Sequence, residues 1–253
     1  INSNSRSEGM SRILDPLDLY ARGIDGSNFV GTVGLELQGL PGLGGRLLDV
    51  GAGAGQLGSS LLPWIIDWTA LEPDAGMRRR LLALAQPPQR ILATGWEDFG
   101  DPVEYDCVLA SNVSAPLVEP RRFLQWCRRR ARRIVIWVVP AQHGPRGLCL
   151  AGCLPTQWHG EDETPGVQLV TSALKEEDSP HESRMIPWTF SLQVDDLGGI
   201  ASHMADRLLW PPTDIRRPLL LDRLHQQART VGGRFVLAVP KVSAILIWRN
   251  HHG

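Results

Sequence analysis

A chain of 253 residues with 43% apolar content is long enough for one large α/β domain, or one domain carrying a sizeable insertion, around a continuous core. Its 26 Lys and Arg against 27 Asp and Glu leave a net charge of −1, which excludes a global electrostatic pull toward nucleic acid or an anionic membrane. Four scattered cysteines, Cys107, Cys127, Cys149 and Cys153, with no charged-then-apolar leader and no long apolar span, lead us to expect a reduced, cytoplasmic, soluble protein, monomeric or homodimeric.

Residues 1–9 are polar and read as a flexible tail or an expression remnant. From Arg12 to Leu40 the apolar residues are loosely helical in spacing and broken by Gly23, Gly26 and Gly31, which predicts two short helices ahead of any sheet. The segment from Arg46 to Gln56 then drives an apolar run, Leu47, Leu48 and Val50, into Gly51, Gly53 and Gly55, and an apolar helical stripe follows at Leu57, Leu61 and Leu62. That is strand, tight turn, helix. Glycine tolerates positive φ and close approach of a ligand, and the following helix start offers unpaired N–H groups. The dinucleotide fingerprint would need a glycine at position 56, where Gln56 stands. Trp68 to Glu72 is a second strand, and Glu72 lies at the offset of about 20 residues at which a βαβ unit sets a carboxylate beside a ribose diol.

With Asp49 two residues before the first glycine, the Gly-x-Gly-x-Gly turn and Glu72 at the end of the next apolar run, this stretch resembles motif I of the class I S-adenosylmethionine-dependent methyltransferases. The resemblance spans roughly residues 40–140 and 195–249. It implies S-adenosylmethionine as cofactor, S-adenosylhomocysteine as product, and Asp49, Gly51, Ala52, Gly53, Gly55, Glu72, Pro73 and Met77 around the cofactor. It also implies that the N-terminal segment folds over the site, with Tyr20 and Arg22 as substrate candidates.

Asp74 caps a helix with Met77, Leu81 and Leu84 inward, stopped by Pro87 and Pro88, and Arg90 to Thr94 is a third short strand. The following Gly95-Trp96-Glu97-Asp98-Phe99 resembles the family segment that meets the adenine, which makes Trp96, Glu97 and Asp98 adenine candidates; a core position is the plain alternative for Trp96. Tyr105 to Ala110 is a buried strand ending at Ser111-Asn112, which in the family lies beside the sulfonium. Cys107 sits inside that strand and reads as core. Seven arginines fall between Arg121 and Arg133, but Phe123, Leu124, Cys127 and Ala131 share one helical arc opposite most of them, so a solvated face explains the run better than a nucleic-acid stripe.

Ile134 to Val139 is a strand buried on both faces, ended by Pro140. Residues 141–194 read as a lid insertion with one short helix begun near Thr164 and Pro165, carrying His143, Arg146, Trp158 and His159 toward the strand ends; His143, Arg146 and Trp158 are substrate candidates and His143 a candidate base. No metal site is expected: Cys149 and Cys153 lack a nearby second pair, and although His159, Glu161, Asp162 and Glu163 could bind a metal, an exposed acidic loop is the commoner explanation. Two helical stripes follow, Leu197 to Leu208 and Leu220 to Ala228, and the chain closes with apolar runs Phe235 to Val239 and Ser243 to Trp248, read as an antiparallel hairpin joined at Pro240-Lys241.

The expected architecture is one methyltransferase domain over residues 1–253, with a cap at 1–40. It is a doubly wound α/β sheet of seven strands, order 3-2-1-4-5-7-6, with an antiparallel terminal hairpin and the lid after strand 5. The expected activity is methyl transfer to a small-molecule acceptor. An RNA or protein methyltransferase and a non-catalytic S-adenosylmethionine-binding protein are the alternatives.

Overall fold

The computed structural model describes residues 14–100, 103–145, 147–159 and 163–250. The polar stretch at 1–9 and Arg146 therefore lie outside the described residues. Among the described residues, eight strands form a single sheet: β1 Gly45–Val50, β2 Ile65–Leu71, β3 Arg90–Leu92, β4 Tyr105–Ser111, β5 Ala131–Pro140, β6 Glu182–Val194, β7 Arg229–Val231 and β8 Arg234–Arg249. The order is β3-β2-β1-β4-β5-β8-β6, with β7 paired to β8. Strands β1 to β5 pair in parallel and β8 runs antiparallel to both β5 and β6. With the short β7 set aside, this is the expected 3-2-1-4-5-7-6 order.

The sheet is covered on both faces because successive residues of its central strands alternate sides. Leu47, Trp68, Leu109, Ile136 and Ile247 face one core, shared with the N-terminal segment, α3 Gln56–Ser60, α7 Leu197–Arg207 and α8 Arg216–Gln227. Leu48, Leu71, Val108, Trp137 and Leu246 face the other, filled by Phe123, Trp126 and Cys127 of α5 Pro120–Arg130 and by Val167 and Val170 of α6 Gly166–Ala173. The N-terminal segment is α1 Pro16–Asp25, a π-helical turn Val30–Gly34 and α2 Leu35–Gln38. Asp15 caps α1 by accepting the Leu17 N–H, with Pro16 at the first helical position.

Two expectations change. The terminal antiparallel element is present, but the runs Phe235–Val239 and Ser243–Trp248 are one strand, β8, whose partner along its length is β6. Pro240 and Lys241 carry no positive φ with which to reverse the chain and instead pair with Thr189 and Trp188. The tight turn is at Gly232 (φ 58°) and Gly233 (φ 77°), which joins β7 to β8. The insertion expected at 141–194 is also shorter. Its last part is β6, with Trp188, Phe190, Leu192 and Val194 buried on alternate positions. Leu148, Leu150, Ala151, Cys153 and Leu154 are buried in the first core, so this segment packs against the sheet.

The free side of β6 is sealed by the N-terminal segment. Asn28 Oδ1 accepts the Thr189 N–H at 2.6 Å, and Arg22 donates to the Gln193 carbonyl at 2.9 Å. An edge strand of 13 residues would otherwise present open backbone groups.

Where the sheet meets α3 the packing is tight. Gly55 holds φ 79°, and a Cβ there would sit 2.6 Å from Leu81 Cδ2 and 3.2 Å from Trp68. Gly55→Ala combines a left-handed backbone with overpacking, and we expect it to lower unfolding free energy by about 2 kcal/mol. Urea denaturation reads this as a lower midpoint at unchanged m; an unchanged midpoint would show that the turn relaxes freely.

Candidate functional site

The glycine turn hangs on the end of β2. Gly51 and Ala52 donate their N–H groups to the Leu71 carbonyl at 2.8 and 3.1 Å. Glu72, the next residue, is 6% exposed, and each of its carboxylate oxygens holds one backbone N–H: Gly53 on Oε2 and Asp74 on Oε1, both at 2.8 Å. Asp74 in turn accepts the Met77 N–H at 2.8 Å and caps α4 Ala75–Leu82. Burial raises the Glu72 pKa above its ordinary value, while the Asp74 and Gly53 N–H groups pull it back down. Gly53 has φ 58° and nothing within 4 Å of where a Cβ would be. Its outer side is therefore open beside a buried carboxylate, a cradle that a ribose diol and its attached chain fit.

The same turn is covered by α1. Gln56 Nε2 donates to the Ala21 carbonyl at 3.2 Å and to Asp25 Oδ1 at 2.8 Å, and Arg80 of α4 pairs with Asp18 at 3.1 Å and with Asp25. Ala21, Ala54 and Met77 bury one another beneath this clamp. At the end of β4, Asn112 adopts φ 54°, unusual for a residue other than glycine, and its N–H reaches the Val138 carbonyl at 2.9 Å. Its Nδ2 donates to the Tyr20 hydroxyl at 3.0 Å, and burial holds the Tyr20 phenol protonated well above its usual range. The structure thus joins Tyr20, Asn112, the glycine turn and Glu72 at the carboxyl ends of β1, β2 and β4, where open α/β sheets bind ligands.

The remaining candidates differ in their surroundings. Asp49, at the end of β1, is 3% exposed, but its carboxyl is tucked beneath α3: a Cβ on Gly58 would lie 2.6 Å from Oδ2. Burial pushes its pKa up to about 7, and the Glu72 charge adds to this. The Trp68 indole N–H pulls the other way, although it closes to no hydrogen-bond geometry. Trp96 is buried edge-on to Phe123 and Trp126, with ring centroids at 5.2 and 5.9 Å, so it is a member of the α5 core. Glu97 and Asp98 are exposed, Glu97 within 4.0 Å of Arg122. Pro73 is exposed, and Ser111 ends β4 beside Val138. Arg22 is spent on the β6 edge, His143 is exposed, and Trp158 packs edge-on to Trp210 at 5.7 Å, away from the strand ends of β1 and β4. Cys107 is fully buried, its thiol pushed up to about 11 by burial.

Of the arginines in the 121–133 run, Arg121 and Arg128 meet Asp178, Arg122 meets Glu119, Arg132 meets Glu104, and Arg133 meets Asp106. These acids compensate the run across α5 and the start of β5, where Arg132 and Arg133 lie past the end of the helix. A shallow hollow of about 430 Å³ lies at the start of α5, lined by Glu119, Arg121 and Arg122, and a second of about 30 Å³ lies between Leu19 of α1, Leu148, Phe190 and Met204. Neither includes the glycine turn, which α1 covers. The residues missed from sequence are Asp18, Asp25, Gln56 and Arg80, which make that cover; partners 55 and 62 positions apart leave no local signal.

Among solved structures, the chain superposes on an Anaeromyxobacter dehalogenans protein assigned as a type II methyltransferase, at TM-score 0.53 and 20% identity over 86% of this chain and 94% of that one. A Bacillus halodurans protein assigned as a methyltransferase superposes at TM-score 0.50 and 12% identity over 86% and 96%. The fold is that of the class I methyltransferases. No protein-family model matches the sequence, and no curated protein matches it. Among the described residues, no helix of this class I fold is long and apolar enough to cross a membrane.

The buried Asp49 gives a stability test. Its folded pKa of about 7 lies above the ordinary 3.8. Its contribution is therefore fully present below pH about 4 and is lost as pH rises through about 7. Asparagine cannot ionise, so Asp49→Asn should be more stable than the parent at pH 8, by up to about 4 kcal/mol, and the gap should shrink toward pH 5. Thermal melts at the two pH values check this; a pH-independent gap would place the titration elsewhere.

Proposed function

We propose that this protein transfers the methyl group of S-adenosylmethionine to a small-molecule acceptor. The observation that carries the reading is Glu72: a buried carboxylate at the end of β2, held against Gly53, whose outer side is open. A carboxylate so placed accepts both hydroxyl protons of a ribose diol. The cofactor supplies an electrophilic methyl on a sulfonium. The chain's own part is alignment and exclusion of water, because charge disperses when a neutral nucleophile meets a sulfonium and a dry site favours that.

The cover favours a small acceptor. Among the described residues, α1 is clamped to the glycine turn by Gln56 and Arg80 and Tyr20 is bonded to Asn112, a cover over the strand ends that supports a small acceptor over a duplex or a folded protein. The pairing of the α5 arginines Arg122 and Arg128 with Glu119 and Asp178 supports the same choice. The small hollow beside Leu19 and Phe190 is apolar and adjoins Tyr20, which stacks on Phe190 with centroids 6.3 Å apart, so an acceptor reaching Asn112 from that side meets apolar walls.

Glu72→Ala should weaken S-adenosylhomocysteine at least tenfold in calorimetry while circular dichroism shows the fold intact, since two charge-assisted hydrogen bonds of about 1.5 to 3 kcal/mol each are lost. Gly53→Val should bind more weakly still, because its side chain fills the open cradle. NAD should bind to none of the three proteins. Unchanged affinity in Glu72→Ala would remove the residue from the site. Tyr20→Phe removes the acceptor of the Asn112 amide. It should lower methyl transfer to an acceptor found by screening with labelled S-adenosylmethionine, yet leave S-adenosylhomocysteine affinity within about threefold. A variant that methylates at the parent rate would take Tyr20 out of the acceptor site.

A further inference from the structure

Past the end of β5 the sheet continues as a two-stranded arm. β5 stops at Pro140, opposite Ser243, whereas β8 and β6 stay paired from there to Phe235 and Val194. Residues directly opposite each other in an antiparallel pair project to the same face, so Trp188 and Lys241, Phe190 and Val239, Leu192 and Leu237, and Val194 and Phe235 share one. All but Lys241 are apolar, and they belong to the first core or pack on it. Helix α1 lies over this face, with Tyr20 stacked on Phe190 and Gly23 pressed against the Phe190 ring. The segment from Leu148 to Leu154 covers it too, since a Cβ on Gly152 would strike Val239. The half-buried Lys241 is thus a single cation set among apolar side chains, at the rim beside the carboxyl end of β5.

Among the described residues Lys241 forms no hydrogen bond and no ion pair, and the titratable groups that face it are the Cys149 and Cys153 thiols. Burial pushes both thiols up, Cys153 to about 11, so neither supplies a negative charge. The acids of the surrounding elements are engaged elsewhere: Asp18 and Asp25 of α1 with Arg80, Glu182 of β6 with Arg184 and Arg249, and Asp206 of α7 with Arg217. An ammonium withdrawn from water with no acid beside it costs stability, and an anion brought by a ligand offsets that cost.

We propose that the methyl acceptor is an apolar molecule bearing one carboxylate, and that Lys241 binds this carboxylate while the apolar remainder runs over Phe190 and Tyr20 toward Asn112. The inference rests on the methyl-transfer reading above and names its substrate class. One ammonium matches one carboxylate. A phosphate would call for further donors, and the guanidiniums on that side are turned to backbone carbonyls, Arg207 to Gly147 and Arg223 to Cys153. Strand β8 is two places from β4 in the sheet, so a small molecule anchored at Lys241 has its far end at Tyr20 and Asn112, the pair that borders the glycine turn.

Lys175 and Lys241 are the only lysines of the sequence, so lysine labelled with carbon-13 at Cε gives two lysine signals, which Lys241→Arg assigns. Lys175, paired with Glu177 at 3.7 Å on the surface, is the internal control. In the presence of S-adenosylhomocysteine, octanoate and phenylacetate are compared with octanamide and phenylacetamide. At least one of the two carboxylates should move the Lys241 signal saturably, with a preference of about tenfold or more over its amide, and leave Lys175 in place. Lys241→Met should abolish that preference in tryptophan fluorescence, Trp188 being the register partner of Lys241, and keep S-adenosylhomocysteine affinity in calorimetry within about threefold. Equal response to acid and amide, joint movement of both lysine signals, or a Lys241 signal indifferent to both carboxylates would overturn the proposal, and these comparisons need no variant. A preference that survives in Lys241→Met would overturn the assignment to Lys241. Failure on these counts in protein that binds S-adenosylhomocysteine leaves the methyl-transfer reading standing. A Lys241 response in protein that does not bind it would remove that reading, and with it the role of the carboxylate as methyl acceptor.

Discussion

The site depends on one carboxylate accepting two backbone N–H groups. Glu72 joins Gly53 in the turn after β1 to Asp74 at the cap of α4, so the ends of two strands and the start of a helix are set by a single buried side chain. Backbone donors satisfied in this way cost little to bury, and they pull the Glu72 pKa back down against the upward push of burial. Asp49, in register with Ala70 on the neighbouring strand and without backbone donors of this kind, has its pKa raised by burial to about 7. The chemistry of the turn therefore follows from how donors are shared between two acids. Glycine alone does not decide it, since each glycine of the turn answers a different demand: Gly55 fits under Leu81 and Trp68, while Gly53 faces open space.

The first half of the fold was legible in the sequence because its signals are local. The glycine spacing, the acid at Glu72 and the β-branched and aromatic run of β5 each lie within a few residues of one another and fix strand, turn and partner face. The second half was less so. Strand β6 alternates buried Trp188, Phe190, Leu192 and Val194 with polar residues and contains Pro187, so its period of two is masked at its start and it reads as insertion. Strand β8 reads as two because Pro240 and Lys241 interrupt an apolar run, and only the ladder with Thr189 and Trp188 shows that the chain continues straight. In the site, the identity of Glu72 was readable, but the direction of the Asp49 carboxyl, the withdrawal of Trp96 into the α5 core and the clamp of Arg80 on α1 are set by tertiary packing.

The N-terminal segment serves two ends of the sheet at once. Its helix α1 roofs the glycine turn through Gln56 and Arg80, and the same helix and the residues just after it close the side of β6 through Arg22 and Asn28. Site cover and edge protection are thereby one structural unit, so a change that loosens α1 acts on both. Whatever frees the roof also uncovers thirteen residues of strand, a template for pairing with another chain. Loosening this ten-residue helix therefore bares a pairing edge and the glycine turn together.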